Sequence, residues 1–228
     1  MKRLDPGRPL TLAFDAVGAE GGLALLLPGG RVLSRDLGER NRQAEALLPV
    51  ALGLLQEAGC GWGDLSLVAV NVGPGSFTGI RVGLAAALGI HAALGLPAVG
   101  VGCLDSVAHA CYDATSPRIG SYMVCSADVR RGEVVQAGFR VERDGPVRLD
   151  ADRLTVPASS EMPEEGTILA GDAALLLWPQ GVFTRWVPTG VARAAATARL
   201  GSAAWLRGEA GPAEPRYARG ADARPRVG

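Results

Sequence analysis

The chain has 228 residues, 48% of them hydrophobic and 5% aromatic, and its 23 Lys plus Arg balance 23 Asp plus Glu. That much apolar material supports a substantial globular core, in one large domain or two of modest size. The balanced charge excludes an overall electrostatic pull onto nucleic acid or an anionic membrane, so RNA contact would have to be local or come from a partner.

Leu10 to Phe14 is an apolar run ending in Asp15; a glycine-bearing turn over Gly18 to Gly22 leads to a second run, Leu23 to Leu27, and a third begins at Val32. These read as three successive antiparallel strands. From Asn41 to Ala58, Leu47, Leu48, Ala51, Leu54 and Leu55 form a helical stripe, with Gly59 as a stop signal. Leu67 to Val72 then reads as a buried strand that runs into Gly73-Pro74-Gly75-Ser76-Phe77-Thr78-Gly79, and Phe77 to Leu94 as a long helix of small residues. Ala98 to Val101 reads as a short strand and Leu104 to Tyr112 as a helix.

The pattern then starts again. Tyr122 to Ala127 is an apolar run ending at Asp128, followed by a turn with Gly132 and the strand-like Val134 to Val141. Strand, terminal Asp, glycine turn and returning strand repeat the opening of the chain, which raises internal duplication with Asp15 and Asp128 on opposite walls of a cleft. Asp144 to Pro146 reads as a turn, Thr155 to Gly166 as a loop, Thr167 to Ala170 as a strand, Asp172 to Trp178 as helical and Gly190 to Arg207 as the last helix. Residues 1–112 are therefore expected as a first domain, 113–210 as a smaller second one and 211–228 as a flexible tail, given the Gly, Pro, Ala and Arg content beyond Gly208.

The Gly73 to Gly79 stretch carries the most chemical information. A strand, a glycine turn and a helix start put free N–H groups at one point, where the helix dipole also favours an anion, and Ser76 or Thr78 can cap the helix. Gly73, Gly75, Ser76, Thr78 and Gly79, with Asp15 and Asp128 as hard oxygen ligands, form a candidate nucleotide or anion site, set against a tight turn that binds nothing. The stretch is neither a Walker loop nor a dinucleotide fingerprint. Only His91 and His109 are present, at spacings that put no imidazole pair on one helix face, and no Gly-x-Ser-x-Gly elbow appears. Cys60, Cys103, Cys111 and Cys125 form no Cys-x-x-Cys pair, and the N-terminus runs quickly into a strand, so reduced thiols in a cytoplasmic protein are expected. His91, Pro97 and Asp105 interrupt the apolar stretch from Val82 to Val107, so no membrane is expected.

Small residues at Gly79, Gly83, Ala86, Ala87 and Gly89 let another backbone approach the long helix. With Leu47, Leu48, Ala51 and Leu55 from the first helix, Ile80, Gly83, Leu84 and Ala87 form a candidate two-helix surface that could close a four-helix bundle with a like pair, against the alternative of plain core packing.

Gly73 to Arg81, Ala127 to Val134, Leu47-Leu48-Pro49 and Pro215 to Arg219 together resemble the TsaB (YeaZ) family, the dimerisation subunit of the bacterial machinery for threonylcarbamoyladenosine in tRNA. The resemblance implies an α/β fold of two related actin-like, Hsp70-like (ASKHA) domains, each a mixed sheet with helices. It implies a noncatalytic chain that pairs with the catalytic subunit TsaD through the first-domain helices, helps recruit the ATPase TsaE, meets tRNA only within the complex and in isolation could form a homodimer through the same face. This chain would need no cofactor, the ATP and Mg being held by the partners. Ala16 and Val17 stand where the family commonly has Thr-Ser or Thr-Ala, Gln43 where relatives often have His, and Val135 where Tyr is frequent. An ATP-dependent phosphotransferase built on Asp15, Asp128 and the glycine loop remains the alternative, followed by a glycopeptidase using Ser76.

Overall fold

The computed structural model describes residues 8–38, 43–157, 162–178 and 184–218. The expected helix start at Asn41, Arg219 of the last motif and the tail beyond it lie outside those residues. The strands are β1 (Thr11–Asp15), β2 (Gly22–Leu26), β3 (Val32–Asp36), β4 (Leu67–Asn71), β5 (Ala98–Val101), β6 (Tyr122–Asp128), β7 (Val134–Glu142), β8 (Gly145–Arg148), β9 (Arg153–Thr155), β10 (Ile168–Ala170) and β11 (Thr184–Trp186). The helices are α1 (Gln43–Glu57), α2 (Phe77–Leu94), α3 (Cys103–Thr115), α4 (Ala174–Leu177) and α5 (Gly190–Arg207).

Two sheets organise the molecule. The first has the order β3-β2-β1-β4-β5, with β1, β2 and β3 antiparallel and β4 and β5 parallel to β1. The second has the order β8-β7-β6-β10-β11, again with three antiparallel strands followed by two parallel additions, and β9 pairs separately with β7. Strand for strand the two orders coincide, so β6 repeats β1 and Asp128 repeats Asp15. The repeat suspected from the sequence is thus present in the topology, and the fold is of the actin-like (ASKHA) type.

The central strands of the first sheet are buried on both faces. Side chains alternate across a strand: Leu12 and Phe14 of β1 join the large core, while Ala13 joins a second, small-residue cluster with Ala24, Ala69, Ala194 and Ala198. α5 makes that second layer, packing on β1, β2 and β4. Gly201 lets it come close, since a Cβ there would lie 2.6 Å from the Ala69 Cβ. A helix expected with the second domain therefore belongs physically to the first sheet, because its alanine and glycine face matches the alanine face of β1, β2 and β4. α3 packs against both α5 and β6. It is tied to α5 by the buried Ser106–Thr197 hydroxyl pair at 2.9 Å, and to β8 by Arg148, which bonds both Asp105 carboxylate oxygens at 3.0 and 2.9 Å.

Capping fixes the helix ends. Ser76 accepts the Gly79 N–H at the start of α2 and left-handed Gly95 closes it; Thr189 and left-handed Gly208 do the same for α5. The expected tail is held in its first part: the Gly100 N–H donates to the Gly211 carbonyl (3.0 Å) and the Arg216 N–H to the Val72 carbonyl (2.8 Å).

Candidate functional site

The glycine loop enters α2 pressed against the β1–β2 turn. A Cβ on Gly79 would lie 1.8 Å from the Ala16 carbonyl oxygen, and one on Gly75 2.8 Å from that of Val17. Three of the loop's N–H groups are engaged within the chain. Gly73 N–H donates to Asn71 Oδ1 (3.1 Å), Ser76 N–H to the Val17 carbonyl (2.8 Å) and Gly79 N–H to Ser76 Oγ (3.3 Å). Of the residues read as an anion cradle, Gly73 and Gly75 are pressed against neighbouring atoms, while Ser76 and Gly79 form the helix cap and also line an open hollow. Thr78 is exposed beside a hollow of about 320 Å³ bounded by Ala16, Gln43 and Val82.

The two strand-ending aspartates are likewise occupied. Asp15 is fully buried and accepts Asn71 Nδ2 at 2.8 Å and Arg193 Nε at 3.2 Å. Arg193 is unexpected from the sequence; it lies one turn into α5 and is itself 5% exposed. Burial disfavours its charge, yet the Asp15 carboxylate outweighs this and holds the guanidinium above the ordinary arginine value. Asp128 accepts the Arg130 N–H at 2.7 Å, which closes a turn in which Arg130 and Arg131 take φ of 71° and 59°. Asp128 donates its own N–H to Asp172 (2.9 Å), whose carboxyl is pushed up by burial. The space left between these groups is about 10 Å³. The buried Cys103 thiol beside it is pushed far above its usual range by burial and by Asp15, which leaves it a protonated, weak nucleophile.

The large open feature lies on the other side of α2. A groove of about 760 Å³ runs between α1 and α2, with Leu47 and Ile90 in its floor, Leu48, Val82 and Leu94 on its walls and Trp62 at one end. Every side chain lining it is uncharged, and Gly89 opens it, since a Cβ there would meet nothing within 4 Å. The sequence-based docking surface needs correction here. Ala51, Leu55, Ile80, Gly83, Leu84 and Ala87 are buried in the chain's own core, and Leu47 is only 3% exposed. Of the eight, Leu48 alone is exposed, at 53%. A stripe spaced at three and four residues picks the most apolar face of a helix, and on α1 and α2 that face covers the sheet. The free face is the adjacent one, through Leu48, Ala85, Ala86 and Gly89.

Comparison with known proteins agrees with this architecture. Residues 40–153, half of the chain, match the family model described as TsaD, tRNA N6-adenosine threonylcarbamoyltransferase. YeaZ from Pseudomonas aeruginosa superposes with a TM-score of 0.76 at 26% identity, over 90% of this chain and 99% of that one. The chain belongs to this family, on its TsaB (YeaZ) branch. It is 30% identical over 101 residues to the tRNA threonylcarbamoyladenosine biosynthesis protein TsaB of Escherichia coli, covering 44% of this chain and 42% of that one. An uncharacterized protein of Mycobacterium tuberculosis is 35% identical over 144 residues, 59% of this chain and 64% of its own length. The chain thus spans less than two thirds of the curated relatives it matches, within a family involved in threonylcarbamoyladenosine biosynthesis.

Two of the motifs that carry the TsaB resemblance meet in space. The Tyr217 hydroxyl accepts Arg81 Nε at 3.1 Å, its ring lies 5.0 Å from that of Phe77, and the Arg81 guanidinium stacks 3.9 Å over Phe77. The Arg216 carbonyl oxygen sits where a Cβ on Gly73 would be, 2.6 Å away. Pro215 to Ala218 is therefore a strap across the root of α2, which gives this motif a structural role. Neither histidine lies beside Ser76: His91 bonds the Leu96 carbonyl beyond the end of α2, and His109 lies on α3 beside Gly145.

Proposed function

We propose that this chain is a noncatalytic subunit of the tRNA threonylcarbamoyladenosine machinery and that it docks a TsaD-type transferase through the α1/α2 groove. The observation that carries the reading is the groove: a large, uncharged, open hollow between two helices, of a size and polarity that suit burial by a partner helix. The filled cleft between Asp15 and Asp128 supports the noncatalytic half, because a phosphotransferase would need that space for nucleotide and metal. On this reading the chain requires no cofactor, ATP and Mg are held by the partners, TsaE is recruited to the assembled pair, and tRNA is met only within it, in the cytoplasm. Without TsaD, two copies of the chain pair through the same groove.

Leu48→Glu and Gly89→Arg test the docking. Leu48 is exposed and a Cβ on Gly89 would meet nothing within 4 Å, so both variants keep the wild-type melting temperature. Each lowers affinity for TsaD roughly 30-fold or more, on the hot-spot scale of about 2 kcal/mol. Wild-type affinity in both variants, measured by calorimetry with purified TsaD, would remove the groove from the interface.

A further inference from the structure

Asp15 and Arg193 are the two charged residues buried among those described, and Arg193 borders the small space that Ala127, Asp128 and Asp172 close from the second sheet. We propose that the interlobe cleft is a cation seat filled from within the chain: the Arg193 guanidinium occupies it as a tethered counterion and locks the two lobes together. Four contacts hold the side chain. Nε donates to Asp15 Oδ2 (3.2 Å), Nη2 to Asp15 Oδ1 (3.4 Å) and to the Glu20 carbonyl (2.6 Å), and Nη1 to the Pro188 carbonyl (2.9 Å). A planar fork with several donors suits that arrangement, whereas a point charge does not.

The backbone is shaped around the guanidinium. A Cβ on Gly18 would lie 2.3 Å from Arg193 Nη2. The start of α5 is seated backbone to backbone on the β1–β2 turn, where a Cβ on Gly190 would lie 2.5 Å from the Gly21 carbonyl carbon and one on Gly22 2.5 Å from that of Gly190. The first lobe thus places Arg193 directly under Asp15. From the second lobe, Ala127, Asp128 and Asp172 close the same space, and the remaining 10 Å³ holds one water at most. Arg193 and Asp172 line that same residual space, so the guanidinium bonded to Asp15 in the first half of the repeat has a carboxylate of the second half beside its cleft, and the charge of each favours that of the other. The lock stands independently of which partner fills the groove.

Arg193→Ala empties the seat and leaves Asp15 bare. The melting temperature is expected to fall by roughly 10 °C, the scale for breaking a buried pair in a chain this long. Millimolar guanidinium chloride, against sodium chloride at equal ionic strength, should recover much of that loss in Arg193→Ala and none in the wild type or in Asp15→Ala/Arg193→Ala. Hydrogen exchange should quicken in both turns, 16–21 in the first lobe and 127–133 in the second. Absence of rescue, equal rescue in the double variant, or faster exchange confined to the first turn would overturn the proposal. Where Arg193→Ala fails to fold, Arg193→Lys keeps the charge and loses the fork. It must quicken exchange in both turns, and a change in the first alone overturns the lock.

Discussion

Gly79 shows how a residue read for chemistry is required by contact. The carbonyl of Ala16 already fills the volume of its missing Cβ, and backbone cannot move aside as a side chain end can. Gly79→Ala is therefore expected to cost about 3 kcal/mol, at the upper end of overpacking penalties, even though alanine is the better helix former; urea denaturation measures it. Arg193 shows the converse. An arginine on an alanine-rich helix reads as a solvated charge, and its partner Asp15 is 178 positions away, so nothing local in the sequence marks it as buried. Gln43, singled out because relatives often carry His there, is buried at the start of α1 with its Nε2 unpartnered.

The two long helices between caps were fully legible. α2 and α5 run from Phe77 to Leu94 and from Gly190 to Arg207 as their caps dictate, because Ser76, Gly95, Thr189 and Gly208 are written in the chain. β8, β9 and β11 were not: β8 opens on Gly145-Pro146, which reads as a turn, and β9 and β11 each carry an arginine, so none presents the apolar run that marked the equally short β5 and β10. The face of α2 that is free was also illegible. Both its faces are apolar, one over β4 and one toward the groove, and composition alone does not say which is covered. The strap from Pro215 to Ala218 braces the root of this helix. Tyr217→Ala should lower stability by about 1 kcal/mol, the scale of an aromatic pair, and quicken exchange of the amides at the start of α2 while leaving those near Leu94 unchanged. Exchange that rises evenly along α2 would show that the strap braces nothing in particular.

At the scale of the molecule, the repeat was visible as two strand–Asp–turn–strand patterns, but the ownership of α5 was not, because adjacency in sequence placed it with the second lobe. α3 sits between the halves and carries His109, whose pKa is lowered by burial despite the nearby Asp113 and Asp105. The folded state thus resists the proton that the unfolded chain accepts. Stability from this source is complete above the unfolded value near pH 6.5 and is lost as pH falls through the lower folded value. Between about pH 7 and about pH 5 the wild type should lose more stability than His109→Gln, and equal slopes of urea midpoint against pH would contradict this assignment.

The return of α5 to the first sheet also governs the order in which the polypeptide can mature. A nascent chain that has emerged only through β5 displays the alanine side of β1, β2 and β4 to water with no helix to cover it. The first half to be synthesised is therefore the last to be finished. Both halves must leave the ribosome before the covering helix and the salt bridge beneath it can form, which couples the two halves of the repeat in folding.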